Sequence, residues 1–301
     1  MGLRTSWLPR LPRREGARVP VRRCRAYELL TRRTSLRYIA PDFLESPAIR
    51  IKYSKLGKLR FLGHRDLARV WERAFRRSKL PLEFTHGFSP HPKMAFGLAL
   101  PVGWESVAEY LDVRFAGEVK ERDLRERVGT SLPQGLQIRA AGPLRQGGRS
   151  LSDLAEVADY LVVLELGEGS GEKDTRESGA FETKLWSSVD ELLSRDHVPA
   201  TRIRRGESIV EDIRQMIVDV WRPRGEEEGE IGLSASLEEA PKVLMRLRTK
   251  PYVLRPESVL SALEGEAIWG PRLVRRTAQY WQDESGLRSI DESIELWDSA
   301  P

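Results

Sequence analysis

The run Phe84–Gly97, FTHGFSPHPKMAFG, places His86, Ser89, His91 and Lys93 within eight residues, and two of the chain's four histidines are among them. Pro90 and Pro92 fix their own φ and hold His91 extended, so no helix passes through this segment. A stiff loop displaying imidazoles, a hydroxyl and an ammonium suits phosphate binding or proton transfer. His86, His91 and Lys93 are the candidate catalytic residues, with a histidine as acid or base and Lys93 against a phosphate. A purely structural loop, its histidines bonded to backbone, is the competing reading. Two histidines without a cysteine or a clear carboxylate partner are too few for a metal, so no metal site is expected.

A second constellation comes just before it. Arg65, Arg69, Arg73, Arg76 and Arg77 are spaced so that a helix would carry them on one side. Only Asp66 and Glu72 offset them, and arginine is the better bidentate ligand for phosphate. Together with Lys93 they are the candidate RNA- or polyanion-binding residues, against the plainer reading of a solvated helix surface. Among the eight tryptophans, Trp71 and Trp186 fall on apolar helix faces. Trp104, in the turn PVGWES, is the best candidate for an exposed stacking ring.

The surrounding pattern indicates what must position these residues. Ile49–Ser54 alternates apolar and polar as a half-buried strand does. Leu67, Val70, Trp71, Ala74 and Phe75 give residues 66–79 a full apolar helix face. Residues 84–100 read as a loop leading into a strand, 110–115 as a strand, 118–131 as a second helix and 136–140 as a closing strand. That order predicts a ferredoxin-like α+β lobe over 48–146. After the loop 142–153, residues 147–301 read as a second, elaborated α+β lobe. It has a buried strand at 160–166, a Gly-rich flexible insert at 167–179 and a helix marked by Leu185, Trp186, Val189, Leu192 and Leu193. Strands follow near 201–205, 208–221, 231–236 and 243–249, then a helical turn at Pro256 and a last strand at 275–281. The fold class expected is therefore α+β, with two ferredoxin-like lobes in tandem.

Charge is distributed unevenly. The formal net charge is +5 over 301 residues, but residues 1–47 carry +7, residues 48–100 carry +9 and residues 101–301 carry −11. Residues 1–47 are rich in arginine and proline and lack any sustained period. They read as a basic disordered tail that binds phosphates, as an import-type presequence, or as an extension ahead of a later start. No stretch approaches the ~20 apolar residues of a membrane helix, which argues against a membrane-spanning chain. Cys24 is the only cysteine. It cannot form a disulfide framework, a thiolate zinc site or a three-cysteine cluster within the chain, and a reducing, cytoplasmic location is the default. No phosphate-loop, nucleophile-elbow or paired-carboxylate motif is present.

Residues 58–113, from KLRFLGHRDL to EYLDV, are similar to a bacterial radical-SAM-associated family of unknown function. The shared segments are F-x-G-H-x-D-L, G-F-x-P-H-P-K, L-P-x-G-x-x-S and E-Y-L-D. EDIRQMI at 211–217 resembles the family's D-x-R motif, and LRPESVL and RRTAQYW resemble its closing motifs. By this resemblance the signature positions are Gly63, His64, Asp66, His86, Gly87, Ser89, Pro90, His91, Pro92 and Lys93, with Asp212 and Arg214 further on. Such proteins accompany, or are fused to, cobalamin-type radical-SAM proteins. The resemblance implies an accessory of a radical-SAM system that binds RNA or a ribonucleoprotein for modification or maturation. Iron–sulfur, S-adenosylmethionine and cobalamin chemistry would then reside only in the partner. A metal-independent endoribonuclease and a protein–protein adaptor without RNA contact are the alternatives.

Overall fold

A computed structural model describes residues 48–86, 88–144, 149–166, 178–204, 206–224, 233, 235–263 and 269–295. The tail at 1–47 and all but the last two residues of the insert at 167–179 lie outside them.

The chain is a mixed α/β protein built on one large, mostly antiparallel sheet with few helices. In the first half, β1 (Ile49–Lys55) leads through a 3-10 turn (Gly57–Phe61) into α1 (His64–Ser78). The short strand β2 (Met94–Phe96), the long β3 (Glu105–Val113) and β4 (Leu136–Pro143) follow. Between β3 and β4 the expected second helix is a composite: α2 (Glu121–Asp123), a π-turn (Leu124–Val128) and a 3-10 turn (Gly129–Ser131). β1 pairs antiparallel with β3 and β4, and β2 pairs antiparallel with β3, giving the order β4-β1-β3-β2.

α1 forms where the 3.6-residue period placed it. Leu67, Trp71, Ala74 and Phe75 are buried against the sheet. Trp71 packs edge-on to Tyr53 at 5.0 Å and tilted against Phe75 at 5.6 Å. The helix ends at Lys79, whose left-handed backbone (φ 54°) turns its N–H back to the Arg76 carbonyl.

The second half opens with α3 (Leu151–Leu154), followed by β5 (Val157–Leu166) and α4 (Ser178–Ser194). β5 is buried on both faces. Ala158, Tyr160, Val162 and Leu164 meet Leu185, Val189 and Leu192 of α4, whereas Leu161 and Val163 face a second cluster with Leu244 and Leu273. The expected strand at 208–221 is two strands, β7 (Glu207–Asp212) and β8 (Ile217–Trp221), separated by a 3-10 turn, because Asp212 and Arg214 break the run. Among the described residues β7 pairs with β6 (Pro199–Arg204) alone, as a separate hairpin. In place of the strand expected at 231–236, the described part is a helical turn, Ala235–Glu238. Next come β9 (Lys242–Arg248), the helix Pro256–Leu260, β10 (Trp269–Asp283) and β11 (Gly286–Ser289). Their order in the sheet is β10-β5-β9-β8.

The halves share one sheet because β10 pairs with β3. This parallel contact spans just two residue pairs, Arg275–Glu105 and Arg276–Ser106, and further along β3 the strand β2 pairs with Leu111–Val113. Side chains complete the seam. Arg275 Nε donates to Glu105 at 3.0 Å, and Arg276 donates to Glu109 at 2.9 Å and to the carbonyls of Leu98 and Ala99 at 2.9 and 3.1 Å. Gln279 Nε2 donates to the Ala108 carbonyl. The segment around Ser293 crosses back over the first half, with Arg50 donating to Asp112 through two bonds of 2.7 Å and to Ser293 at 2.6 Å. Gly142 is required there: a Cβ would lie 1.9 Å from the Glu295 carbonyl oxygen.

Removing the Arg276 guanidinium leaves Glu109 buried without its cation, which costs about 3–5 kcal/mol. Arg276→Met is therefore expected to lower the urea midpoint of unfolding by that equivalent. Arg276→Met with Glu109→Leu is expected to recover only part of it, because the carbonyls of Leu98 and Ala99 still lose their donor, as equilibrium denaturation of the double-mutant cycle would show.

Candidate functional site

The His/Pro loop is a hairpin-like excursion anchored at the end of β3. Thr85 N donates to the His91 carbonyl at 2.8 Å, His91 N to Thr85 Oγ1 at 3.0 Å and Lys93 N to the Glu83 carbonyl at 2.8 Å. Arg114 ties both legs to the sheet: its N–H donates to Lys93 O at 3.1 Å, and its carbonyl accepts from Glu83 N at 3.0 Å. His86, Ser89, Pro90 and His91 are exposed and Pro92 is buried, while Gly87 lies outside the described residues. Phe88 projects fully into solvent. Neither imidazole side chain makes a hydrogen bond among the described residues. The Lys93 ammonium donates to the Glu83 carboxylate. That bond, then the nearby charges of Lys93, Arg114 and His86, holds Glu83 below the usual carboxylate range. Glu83 is thus a member of the loop that sequence reasoning missed.

All five arginines of α1 are exposed. Arg69 pairs with Asp66 at 3.1 Å and Arg76 with Glu72 at 2.7 Å. Exposed pairs of this kind contribute little. Arg65, Arg73 and Arg77 have no acidic partner among the described residues, nor do the exposed Lys58 before the helix and Lys79 at its end. Elsewhere in the same +9 segment the charge is neutralised internally. Arg50 is buried on Asp112, Lys52 pairs with Asp291 at 2.6 Å and Lys93 pairs with Glu83. The surplus that remains is therefore presented by α1 and its two ends.

Asp212 and Arg214 have a structural task. Arg214 donates to the carbonyls of Leu193 and Arg195 at 3.0 Å and of Ile217 at 3.3 Å, capping the end of α4. Asp212 accepts from Arg214 N at 3.0 Å, Val198 N at 2.9 Å and His197 Nδ1 at 2.7 Å. These bonds hold its carboxyl at about 2, and Asp212 in turn raises His197. Trp104 is not an exposed stacking ring. It is buried edge-on against Tyr160 at 5.5 Å, and its Nε1 donates to Glu257 at 3.1 Å, because the helix Pro256–Leu260 covers the turn.

A site not anticipated from the sequence lies at the start of α1. Tyr53, Lys55, His64, Phe96 and Glu109 line a narrow cavity of about 20 Å³ together with residues 97–100. Lys55 is 1% exposed, and its ammonium donates to the Leu62 carbonyl at 2.8 Å and to that of Arg60 at 3.4 Å. Burial pulls Lys55 down, partly opposed by Glu109, and burial pushes Glu109 up against the pull of Arg276. His64 sits at the rim, edge-on to Phe96 at 5.2 Å. The signal was periodic: Lys55 falls in phase with Ile49, Ile51 and Tyr53, and Glu109 with Leu111 and Val113, so both charges point with the apolar side of their strands. His64 and Glu109, from two different signature segments, meet here, whereas His86 and His91 do not line this cavity. Among the described residues no group of three His, Cys, Asp or Glu side chains could hold a metal ion.

A family profile described as an uncharacterised protein conserved in bacteria, DUF2344, matches residues 48–248. The chain belongs to this family. No curated protein matches it. The DUF2344 match takes in the arginine helix, the His/Pro loop, the α1 cavity and the Asp212–Arg214 cap, and it ends before β10 brings Arg276 to the seam. Among the described residues, no helix of this DUF2344 member is long and apolar enough to cross a membrane.

The stability that Asp212 contributes is present above its ordinary value of 3.8 and is lost as pH falls through about 2. His197 is raised, so its share is present below 6.5 and is lost as pH rises through its folded value. Asp212→Ala is expected to lower the thermal midpoint at pH 6, with the difference from wild type closing between pH 4 and pH 2. Arg214→Ala, which frees three carbonyls, should cost about 1–3 kcal/mol with no such pH dependence, as calorimetry across that range would show.

Proposed function

We propose that the chain is a non-catalytic accessory of a radical-SAM system that binds RNA or a ribonucleoprotein through the exposed side of α1 and the adjoining His86–Lys93 loop. The observation that carries this reading is the arginine surface itself. Arg65, Arg73 and Arg77 stand exposed without acidic partners among the described residues, with Lys58 in the turn before the helix and Lys79 at its end. Left without a polyanion, that side of α1 repels itself, and guanidinium groups on a rigid helix suit phosphate oxygens. The modification chemistry belongs to a cytoplasmic radical-SAM partner that holds the cluster, S-adenosylmethionine and cobalamin. This part of the proposal rests on the resemblance of residues 58–113.

We also infer that the architecture is two ferredoxin-like units in tandem. The strand orders β4-β1-β3-β2 and β10-β5-β9-β8 support this: each places the first strand of its half between the third and fourth, with helical segments as connections. The β6–β7 hairpin is then an insertion in the second unit.

The test is binding of a labelled single-stranded RNA as a function of salt. Affinity is expected to fall steeply with ionic strength. Arg73→Glu and Arg65→Glu should each weaken it across all sequences alike, with the salt slope reduced by about one per lost phosphate contact. Salt-insensitive or absent RNA binding, or a native pull-down that recovers an iron–sulfur protein without RNA, would overturn the RNA part in favour of a protein–protein adaptor. RNA cleavage in EDTA that is lost in His91→Ala would favour the endoribonuclease.

A further inference from the structure

The narrow cavity beneath α1 has the attributes of a binding site that its lining residues do not themselves fill. Tyr53 is 1% exposed and lines the cavity, yet its hydroxyl has no hydrogen-bond partner among the described residues. The Lys55 ammonium spends two of its three N–H bonds on the carbonyls of Leu62 and Arg60, leaving one. Directly above, α1 begins without a side-chain cap: Gly63 supplies none, and the first helical bond is Leu67 N to Gly63 O at 3.0 Å. The N–H groups of His64, Arg65 and Asp66 are therefore left over at the positive end of a fifteen-residue helix. Glu109 is the one carboxylate lining the cavity, and Arg276 lies against it at 2.9 Å. Lys55 and Arg276 against Glu109 leave the surroundings net positive before the helix dipole and His64 are considered.

We propose that this cavity binds a phosphate group, one oxygen of which enters between Tyr53 and Lys55 beneath the first turn of α1 while His64 holds the group from the rim. A volume of about 20 Å³ admits a single oxygen-sized group and no more. The body of the phosphate therefore stays outside the cavity. This inference rests on the RNA-binding reading and deepens it. It assigns one phosphodiester of the bound strand to a fixed socket, where the remaining arginines contact phosphates only on the surface. Free inorganic phosphate presents the same chemistry, so the experiment separates the two sources.

The full chain is titrated with a labelled single-stranded oligoribonucleotide by anisotropy and, separately, with inorganic phosphate by calorimetry. Tyr53→Phe removes only the hydroxyl, and His64→Ala removes an exposed ring, so both are expected to keep the wild-type thermal midpoint. Each should weaken RNA binding about tenfold, the scale of one hydrogen bond to a charged group. Lys55→Met, if it folds, should also reduce the salt slope by about one. Inorganic phosphate should bind the wild type, compete with RNA and bind Tyr53→Phe about tenfold more weakly.

Unchanged RNA affinity in both Tyr53→Phe and His64→Ala, with Arg73→Glu still weakened, would overturn the socket and leave the arginine surface intact. If the wild type binds no RNA but binds inorganic phosphate in a Tyr53-dependent way, the socket stands with free phosphate as its ligand and the RNA reading falls. Binding of neither removes both.

Discussion

The fold depends on a guanidinium that no water reaches. Arg276 is fully buried between the two halves and is held by Glu109 and the carbonyls of Leu98 and Ala99. Backbone pairing between β3 and β10 is too short to set the join, since two register pairs leave the strands free to slip or splay. Arg275 on Glu105, Arg276 on Glu109 and Gln279 on the Ala108 carbonyl turn that short contact into a defined register. Burying these groups is costly, and the bonds across the seam offset that cost in part, since Arg276 Nε and Gln279 Oε1 have no hydrogen-bond partner among the described residues.

The same residue reaches into function. Leu98, Ala99 and Glu109, which Arg276 holds, are also part of the cavity wall beneath α1. The second half thus shapes a site whose most reactive groups all belong to the first. The electrostatics divide in a corresponding way. Cations that face the sheet or the loop legs are neutralised by Asp112, Asp291 and Glu83, and those on the outer side of α1 are left to solvent. A sequence-wide +5 conveys neither fact, because it averages a basic front, an acidic remainder and pairs that cancel inside the molecule.

Legibility in the sequence follows interaction range. α1 is legible residue by residue because its period is local, and β1 and β3 show in the sequence as alternating segments. β7 and β8 read in the sequence as one strand because the break between them is made by hydrogen bonds that Asp212 accepts and Arg214 donates, not by a glycine or proline. The D-x-R motif was visible, but its role was not: Arg214 serves carbonyls 19 and 21 residues back along the chain. Trp104 looked exposed because a turn surrounds it, and only the contact with Glu257, 153 residues away, shows it to be covered. The seam is the extreme case, since Arg276 and Glu109 stand 167 residues apart and neither carries a local sign of the other. Their trace is indirect: Glu109 and Lys55 occupy positions whose strand phase points them inward, and an inward charge requires a partner that the strand cannot supply.

That requirement also explains why the seam is ionic. A pair of apolar residues at 109 and 276 could fill the same space without desolvating two charges, and such replacements are often neutral or stabilising elsewhere. Here they would strand the carbonyls of Leu98 and Ala99 and remove the carboxylate that helps keep Lys55 charged in a dry setting. Glu109 opposes the downward pull of burial on Lys55. The ion pair at the seam and the ammonium under α1 are therefore one electrostatic unit. Arg276 holds Glu109 through a hydrogen bond and Glu109 opposes the effect of burial on Lys55, so a residue of the second half acts on the cavity under α1.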